Sequence, residues 1–265
     1  MTSHLKETLV FAVKEGGKFL LENFGRRSRI DYKGEINLVT TVDRESEKKI
    51  IKIIQKEFPD HQILTEESSP CPDLSGRARP YCWLIDPLDG TTNYAHGFLV
   101  FCVSIAVEYE REIILGAIYN PVLDELFFAE KGKGAFLNGK KIKVSSTKKL
   151  TKSLLATGFP YDIRESRINN LDHFANFALK AQAIRRAGSA ALDLAYVACG
   201  RFDGFWELKL FPWDMAAGSL LVSESGGRVT NFRGEKFSVY VPECLATNGK
   251  IHQEMIKILK KGERK

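Results

Sequence analysis

A chain of 265 residues with 44% hydrophobic content can bury a substantial core, as one large domain or as two closely packed halves. Its five cysteines are odd in number, scattered and free of CxxC spacing, which argues against a disulfide framework and a thiolate zinc site. The formal charge of +6 suits an anionic partner, yet the basic residues are spread out and gather mainly in Lys140–Lys149 and the tail Lys257–Lys265. Without basic and aromatic alternation, solvated surface is preferred and nucleic acid is kept as a minor alternative partner.

In chain order, the opening MTSHLKETLVFAVKEGGKFLLENFG predicts an amphipathic helix over Leu5–Phe24. It lacks the apolar core and cleavage site of a secretory signal, and Glu7, Glu15 and Glu22 argue against a transit peptide. No apolar run of roughly 20 residues follows, so the expectation is a cytoplasmic protein with no membrane span. A polar loop, Gly25–Lys33, precedes a second helix over Arg44–Phe58, with Asp43 as its candidate N-cap. A short strand near Ile63 and a stronger one at Tyr81–Ile85 flank a loop, Pro70–Pro80, and both strands run into carboxylates. The β-rich runs Val100–Glu108, Ile113–Tyr119 and Glu125–Ala129 predict a mixed sheet in the middle of the chain. Ser189–Cys199 and Asp214–Ser225 then read as helices, each after a short strand-like segment, which is the alternation of a layered α/β fold. No internal repeat is visible. A charged stretch near Thr147–Ser153 suggests a division into two subdomains, about 1–148 and 149–265, within a single domain.

The most informative stretch is Trp83-Leu84-Ile85-Asp86-Pro87-Leu88-Asp89-Gly90-Thr91-Thr92-Asn93, an apolar strand ending in carboxylates, a proline, a glycine and hydroxyls. With Pro87 bending the chain, Asp86, Asp89 and an intervening carbonyl could converge on a hard cation, and magnesium favours such an all-oxygen environment. For Asp86 alone, a capped turn is the ordinary explanation. Thr65-Glu66-Glu67-Ser68 places carboxylates after another strand, and Trp213-Asp214-Met215-Ala216-Ala217-Gly218 opens a helix with small residues. A solvated loop and an N-cap would explain these separately, but their joint appearance favours a metal site.

These segments resemble the inositol monophosphatase family. Its DPxDGTxN motif stands as Asp86–Asn93, its WDxAAG motif as Trp213–Gly218, its upstream Glu-Glu as Glu66-Glu67 and its GxA segment as Gly188-Ser189-Ala190. Arg185–Asp193 points to a bacterial or archaeal subgroup. The resemblance implies an α-β-α-β-α sandwich and Mg2+-dependent hydrolysis of an inositol monophosphate, or a similar small polyol or sugar phosphate, by a metal-activated water. It implies two to three Mg2+ ions held by Glu66, Asp86, the Leu88 carbonyl, Asp89 and Asp214. Thr91 would hold the attacking water, oriented by Asp43, with Glu66 completing proton removal. Asp89, Gly90, Thr91, Gly188, Ser189, Ala190 and Glu207 would meet the substrate, and a homodimer is the expected assembly. Lys33 falls near a family metal-site loop but without matching spacing, and His96 completes the first motif without a partner for zinc.

Two alternatives stay open. Fructose-1,6-bisphosphatase activity, alone or combined, is kept alive by Arg185 and Arg186, which could meet a second phosphate, a dimer partner or only a surface ion pair. An RNA or transcription-complex binding protein retaining the fold is the other. A nucleotide substrate would want an aromatic platform, and the sequence identifies none.

Overall fold

The structure is a computed structural model that describes residues 2–25, 30–32, 38–68 and 80–262. Lys33, Cys71, most of the two expected loops Gly25–Lys33 and Pro70–Pro80, and the last residues of the basic tail lie outside the described residues.

The first half runs α1 (Thr2–Asn23), β1 (Ile30–Tyr32), β2 (Leu38–Thr40), α2 (Thr41–Glu57), β3 (Gln62–Thr65), β4 (Tyr81–Asp89), α3 (Thr91–Ala95), β5 (Cys102–Tyr109), β6 (Glu112–Asn120), β7 (Glu125–Glu130), β8 (Gly134–Leu137) and β9 (Lys140–Lys141). The second runs β10 (Leu154–Thr157), α4 (Leu171–Ala178), β11 (Ala183–Arg185), α5 (Ala190–Ala198), β12 (Gly204–Leu208), α6 (Pro212–Glu224), β13 (Arg228–Thr230), β14 (Glu243–Thr247) and α7 (His252–Gly262). β3 to β9 form a seven-stranded sheet in sequence order, antiparallel except for the β3–β4 pair. The five-stranded sheet has the order β11-β10-β12-β14-β13, with its first three strands parallel.

Periodicity decides the layers. In α1, Leu5, Leu9, Ala12, Val13 and Leu20 recur at helical spacing, are buried, and pack with Ile50 and Ile54 of α2 on the outer face of the large sheet. Its interior strand β5 is buried from Cys102 to Glu108 on both faces, so a second layer must cover the inner face. That layer is α5 and α6. In α6 every residue from Met215 to Val222 is buried, the pattern of a helix with neighbours all round, and the same core joins β4, β5 and β6 to β10, β12 and β14. On the far face of the small sheet, Phe177 of α4 packs with Met255 and Leu259 of α7. The order of layers is therefore the α-β-α-β-α sandwich expected. The chain leaves the large sheet at Lys141 and enters the small one at Leu154.

Several boundaries differ from the sequence expectation. β4 continues through Pro87 to Asp89 instead of stopping at Ile85, because a bulge absorbs the proline. α2 begins at Thr41, which makes Asp43 its third residue and not its N-cap. The short strands β8, β9, β13 and β14 and the helices α4 and α7 had no counterpart in the sequence expectation. Among the described residues no helix is long and apolar enough to cross a membrane.

The middle layer is thin because its helices carry small residues. A Cβ added at Gly218 would lie 2.5 Å from Leu194 Cβ, and one at Gly116 of β6 would lie 2.9 Å from Ala217 Cα. We expect Gly218→Ala to destabilise the protein by about 1–3 kcal/mol through overpacking, despite the gain of about 1 kcal/mol in helix propensity. Urea unfolding measures this, and an unchanged or raised midpoint would show that α5 can move aside.

Candidate active site

Three strand and helix ends meet in one cleft between the sheets. At the end of β4, Asp86 pairs with Ser104 and Asp89 with Cys102, so a step of three on β4 (89 − 86) faces a step of two on β5 (104 − 102). In a regular strand residues three apart point to opposite faces. The extra residue in the bulge cancels that alternation, and both Asp86 and Asp89 line the cleft, as do Glu66, just after β3, and Asp214 in the first turn of α6.

Each acid is fixed by local donors. Asp86, only 2% exposed, accepts the Leu88 N–H at 3.0 Å. Asp89 Oδ2 accepts the Ser189 hydroxyl at 2.6 Å and the Ala191 N–H at 2.7 Å. Ser189 is at the same time the N-cap of α5, accepting the Leu192 N–H at 3.3 Å. Asp214 is the third residue of α6, not its N-cap, and its carboxylate accepts the Phe211 N–H at 2.7 Å, placing negative charge at the positive end of the helix. Glu66 N–H donates to the Ile85 carbonyl at 3.3 Å, which carries the β3–β4 register one residue onward and brings Glu66 beside Asp86.

Gly90, with φ of 98°, turns the chain from β4 into the short α3, where an added Cβ would lie 2.8 Å from the Val100 carbonyl. Thr91 follows. Its hydroxyl lies 2.9 Å from Asp43 Oδ1 and 3.1 Å from the Leu88 carbonyl. The carboxylate is the stronger acceptor, so the single hydroxyl proton goes to Asp43 and the Thr91 lone pairs are left to accept another. Asn93 closes the motif structurally, donating to the carbonyls of Val100 at 2.7 Å and Ala187 at 2.8 Å.

Gly188, Ser189 and Ala190 at the start of α5 and Glu207 on β12 form the opposite wall, so every expected site residue lines the cleft except Asp43, which stands behind Thr91. Arg186 lines it too, whereas Arg185 is exposed and turns to the Ile184 carbonyl. Asp193, one turn into α5, closes the Arg185–Asp193 stretch but is not among the site residues expected from the sequence. It is 1% exposed, its Oδ1 meets no hydrogen-bond partner, and it borders the cleft. Two aromatic side chains that the sequence did not single out also stand exposed at the rim, Tyr161 and Phe211, the latter stacked on Trp213 with centroids 5.0 Å apart.

Electrostatically the cleft holds more negative charge than it can stabilise alone. Burial, then the charges of Glu66, Asp89 and Asp214, push Asp86 well above the usual carboxylate range. Asp214 is raised by burial and then by Glu66, and Asp89 is raised by burial despite its donors. On the opposite wall burial and Asp89 raise Glu207 to about 8, and burial and Glu207 raise Asp193, with Arg186 opposing both. A donor set of carboxylates and a backbone carbonyl, all oxygen and mutually repelling, fits hard divalent cations.

The chain matches the inositol monophosphatase family over residues 1–264. Its relatives include an inositol-1-monophosphatase from Synechocystis sp., 46% identical over 94% of this chain and 86% of that protein. A Nus factor SuhB from Pseudomonas aeruginosa is 42% identical over 92% of each chain. Among solved structures, an inositol monophosphatase from Anabaena (Nostoc) sp. has a TM-score of 0.88 at 42% identity, covering 98% of this chain and 96% of that one.

The charge imbalance has a measurable signature. Acids whose proton affinity is raised by folding hold protons that the unfolded chain has released, so their contribution to stability is lost as pH rises through the folded-state value. A divalent cation replaces those protons. We expect the rise in melting temperature on adding Mg2+ to grow as pH climbs from the ordinary carboxylate range through the raised range of these acids; a rise independent of pH would show that cations bind away from these acids.

Proposed function

Because the chain belongs to the inositol monophosphatase family, whose members are phosphoric monoester hydrolases, we propose that it releases phosphate from an inositol monophosphate or a closely similar polyol phosphate at this cleft. The observation that carries the proposal is the convergence of Glu66, Asp86, Asp89 and Asp214 beside a hydroxyl already polarised by a buried carboxylate. Glu66, Asp86, the Leu88 carbonyl, Asp89 and Asp214 would hold two to three Mg2+ ions. Bound there, the ions would lower the pKa of water and neutralise charge on the phosphate.

The chain's own residues supply the rest. Thr91 Oγ1, its proton committed to Asp43, accepts a hydrogen from the attacking water and so aims the water's lone pair at phosphorus. As the P–O(water) bond forms and the ester P–O bond breaks, the water proton passes toward Glu66 and the Thr91–Asp43 pair, and the departing alkoxide takes a proton from solvent. The N–H groups near Gly90 and Thr91 face phosphate oxygens. On the opposite wall Gly188, Ser189, Ala190 and Glu207 receive the polyol, whose hydroxyls exchange hydrogen bonds with the Glu207 carboxyl group.

Residence in the cytoplasm and assembly as a homodimer belong to the same proposal. Ile168, Leu171 and Leu179 stand exposed in and around α4, apolar surface that a second copy could cover. A second function in RNA or transcription complexes is favoured by one comparison, the relative named a Nus factor, and by exposed Lys148, Lys149 and Lys152 along one groove. It predicts RNA binding that weakens with salt and survives Asp89→Asn.

The decisive assay is phosphate release from inositol 1-phosphate and fructose 1,6-bisphosphate with Mg2+ or EDTA. We expect Mg2+-dependent turnover favouring the monophosphate, abolished in Asp89→Asn, which keeps an acceptor for Ser189 but loses the charge. Thr91→Val should lower kcat by about 100-fold or more with little change in KM. Folded protein inert toward both esters and toward other phosphate monoesters would reject the proposal.

A further inference from the structure

Helix α2 carries three polar side chains at positions i, i+3 and i+4, the spacing of a single helical face: Asp43, Ser46 and Glu47. All are buried, at 1%, 0% and 3% exposure, where a helix packed on a sheet would ordinarily place aliphatic residues. Each reaches a different part of the cleft. Asp43 takes the Thr91 hydroxyl, and Ser46 Oγ donates to the Pro87 carbonyl at 3.1 Å, inside the β4 bulge. Glu47 Oε2 accepts the Thr65 hydroxyl at 2.5 Å and the Glu67 N–H at 2.9 Å.

The last pair has a specific geometry. Thr65 and Glu67 flank Glu66, and one oxygen of Glu47 holds both, while Glu66's own N–H is tied to Ile85. The two neighbours of Glu66 are thus fixed on one carboxylate, and Glu66 itself on the backbone of β4. Burying a carboxylate on α2 is unfavourable unless its donors compensate, and here both donors belong to the segment that carries Glu66. A purely apolar α2 face could pack on the sheet, but it could not hold this turn. We propose that Glu47 is a positioning residue that sets Glu66 for divalent-cation binding, with α2 acting as a bracket whose other two prongs, Asp43 and Ser46, fix Thr91 and the bulge. The inference rests on the cation-dependent reading of the cleft given above.

The test is Mg2+ binding to the whole folded protein without substrate, followed by calorimetry, beside the Mg2+ concentration for half-maximal phosphate release. Removing an outer partner of a metal ligand typically weakens metal affinity by about 10- to 100-fold. We expect that loss in Glu47→Ala, a smaller one in Glu47→Gln, whose amide oxygen can still accept, and a smaller one again in Thr65→Val. The half-activation concentration should move by the same factors while kcat at saturating Mg2+ changes less. Folded Glu47→Ala with wild-type Mg2+ affinity would overturn the inference. If that variant does not fold, wild-type affinity in both Glu47→Gln and Thr65→Val would do so. Wild-type protein that binds Mg2+ but releases no phosphate would count against the proposed reaction alone, whereas wild-type protein that binds none would overturn both.

Discussion

The constraint on which the rest of this structure depends is repulsion between carboxylates that the fold forces together. Glu66, the Asp86–Asp89 pair and Asp214 come from three separate places in the sequence and face one cleft, where burial disfavours ionising Asp86, Asp89 and Asp214 and neighbouring charges add to this at Asp86 and Asp214. An arrangement of this kind does not persist through its own attractions. It is held by groups that have no choice of position: a bulge that turns both aspartates of β4 to one side, the capped start of α5 gripping Asp89, and the first turn of α6 gripping Asp214. The surrounding sandwich gives those groups their rigidity, since the strand ends and helix starts grow out of the most buried elements of the molecule.

The same constraint accounts for the composition of the middle layer. Asp214 can stand close to Asp86 only if α6 lies almost directly on the large sheet, which Ala217 permits against Gly116 of β6, while Gly218 lets α5 approach from the side. The apolar character of α6 on every side follows from serving as the core of both sheets at once. Packing and electrostatics are therefore one design problem at this point of the chain.

Much of this was legible in the sequence because the informative residues sit where local signals change. An apolar strand that runs into Asp86, Pro87, Asp89 and Gly90, and a helix opened by Trp213-Asp214, announce themselves through neighbours along the chain. What was not legible depends on neighbours across space. Asp43 reads as a helix cap because it precedes a charged helical pattern, yet α2 starts two residues earlier and turns Asp43 inward. Glu47 looks like one more solvated glutamate in a run of Glu and Lys, and Asp193 like an exposed turn of α5, until the opposing elements are in place. Tyr161 and Phe211 form a rim only because the loop after β10 meets the start of α6. α7 was hidden by its own tail, whose lysines dominate the composition although Ile251, Met255, Ile256 and Leu259 are buried.

The hydrogen bonds that lock the cleft join residues far apart in the chain: Asp89 to Ser189 and Ala191, and Asn93 to Ala187, are separated by 100, 102 and 94 positions. During synthesis, the amino-terminal sheet is complete long before those partners exist. The emerging polypeptide thus carries its acids without the clamp that orders Asp89 or the helix that brings Asp214. Ligand affinity arrives late and abruptly, when the small sheet docks, as expected where distant segments must close before they are rewarded. The acids of the first sheet are in this way set against one another only after residues as late as Asp214 have joined them.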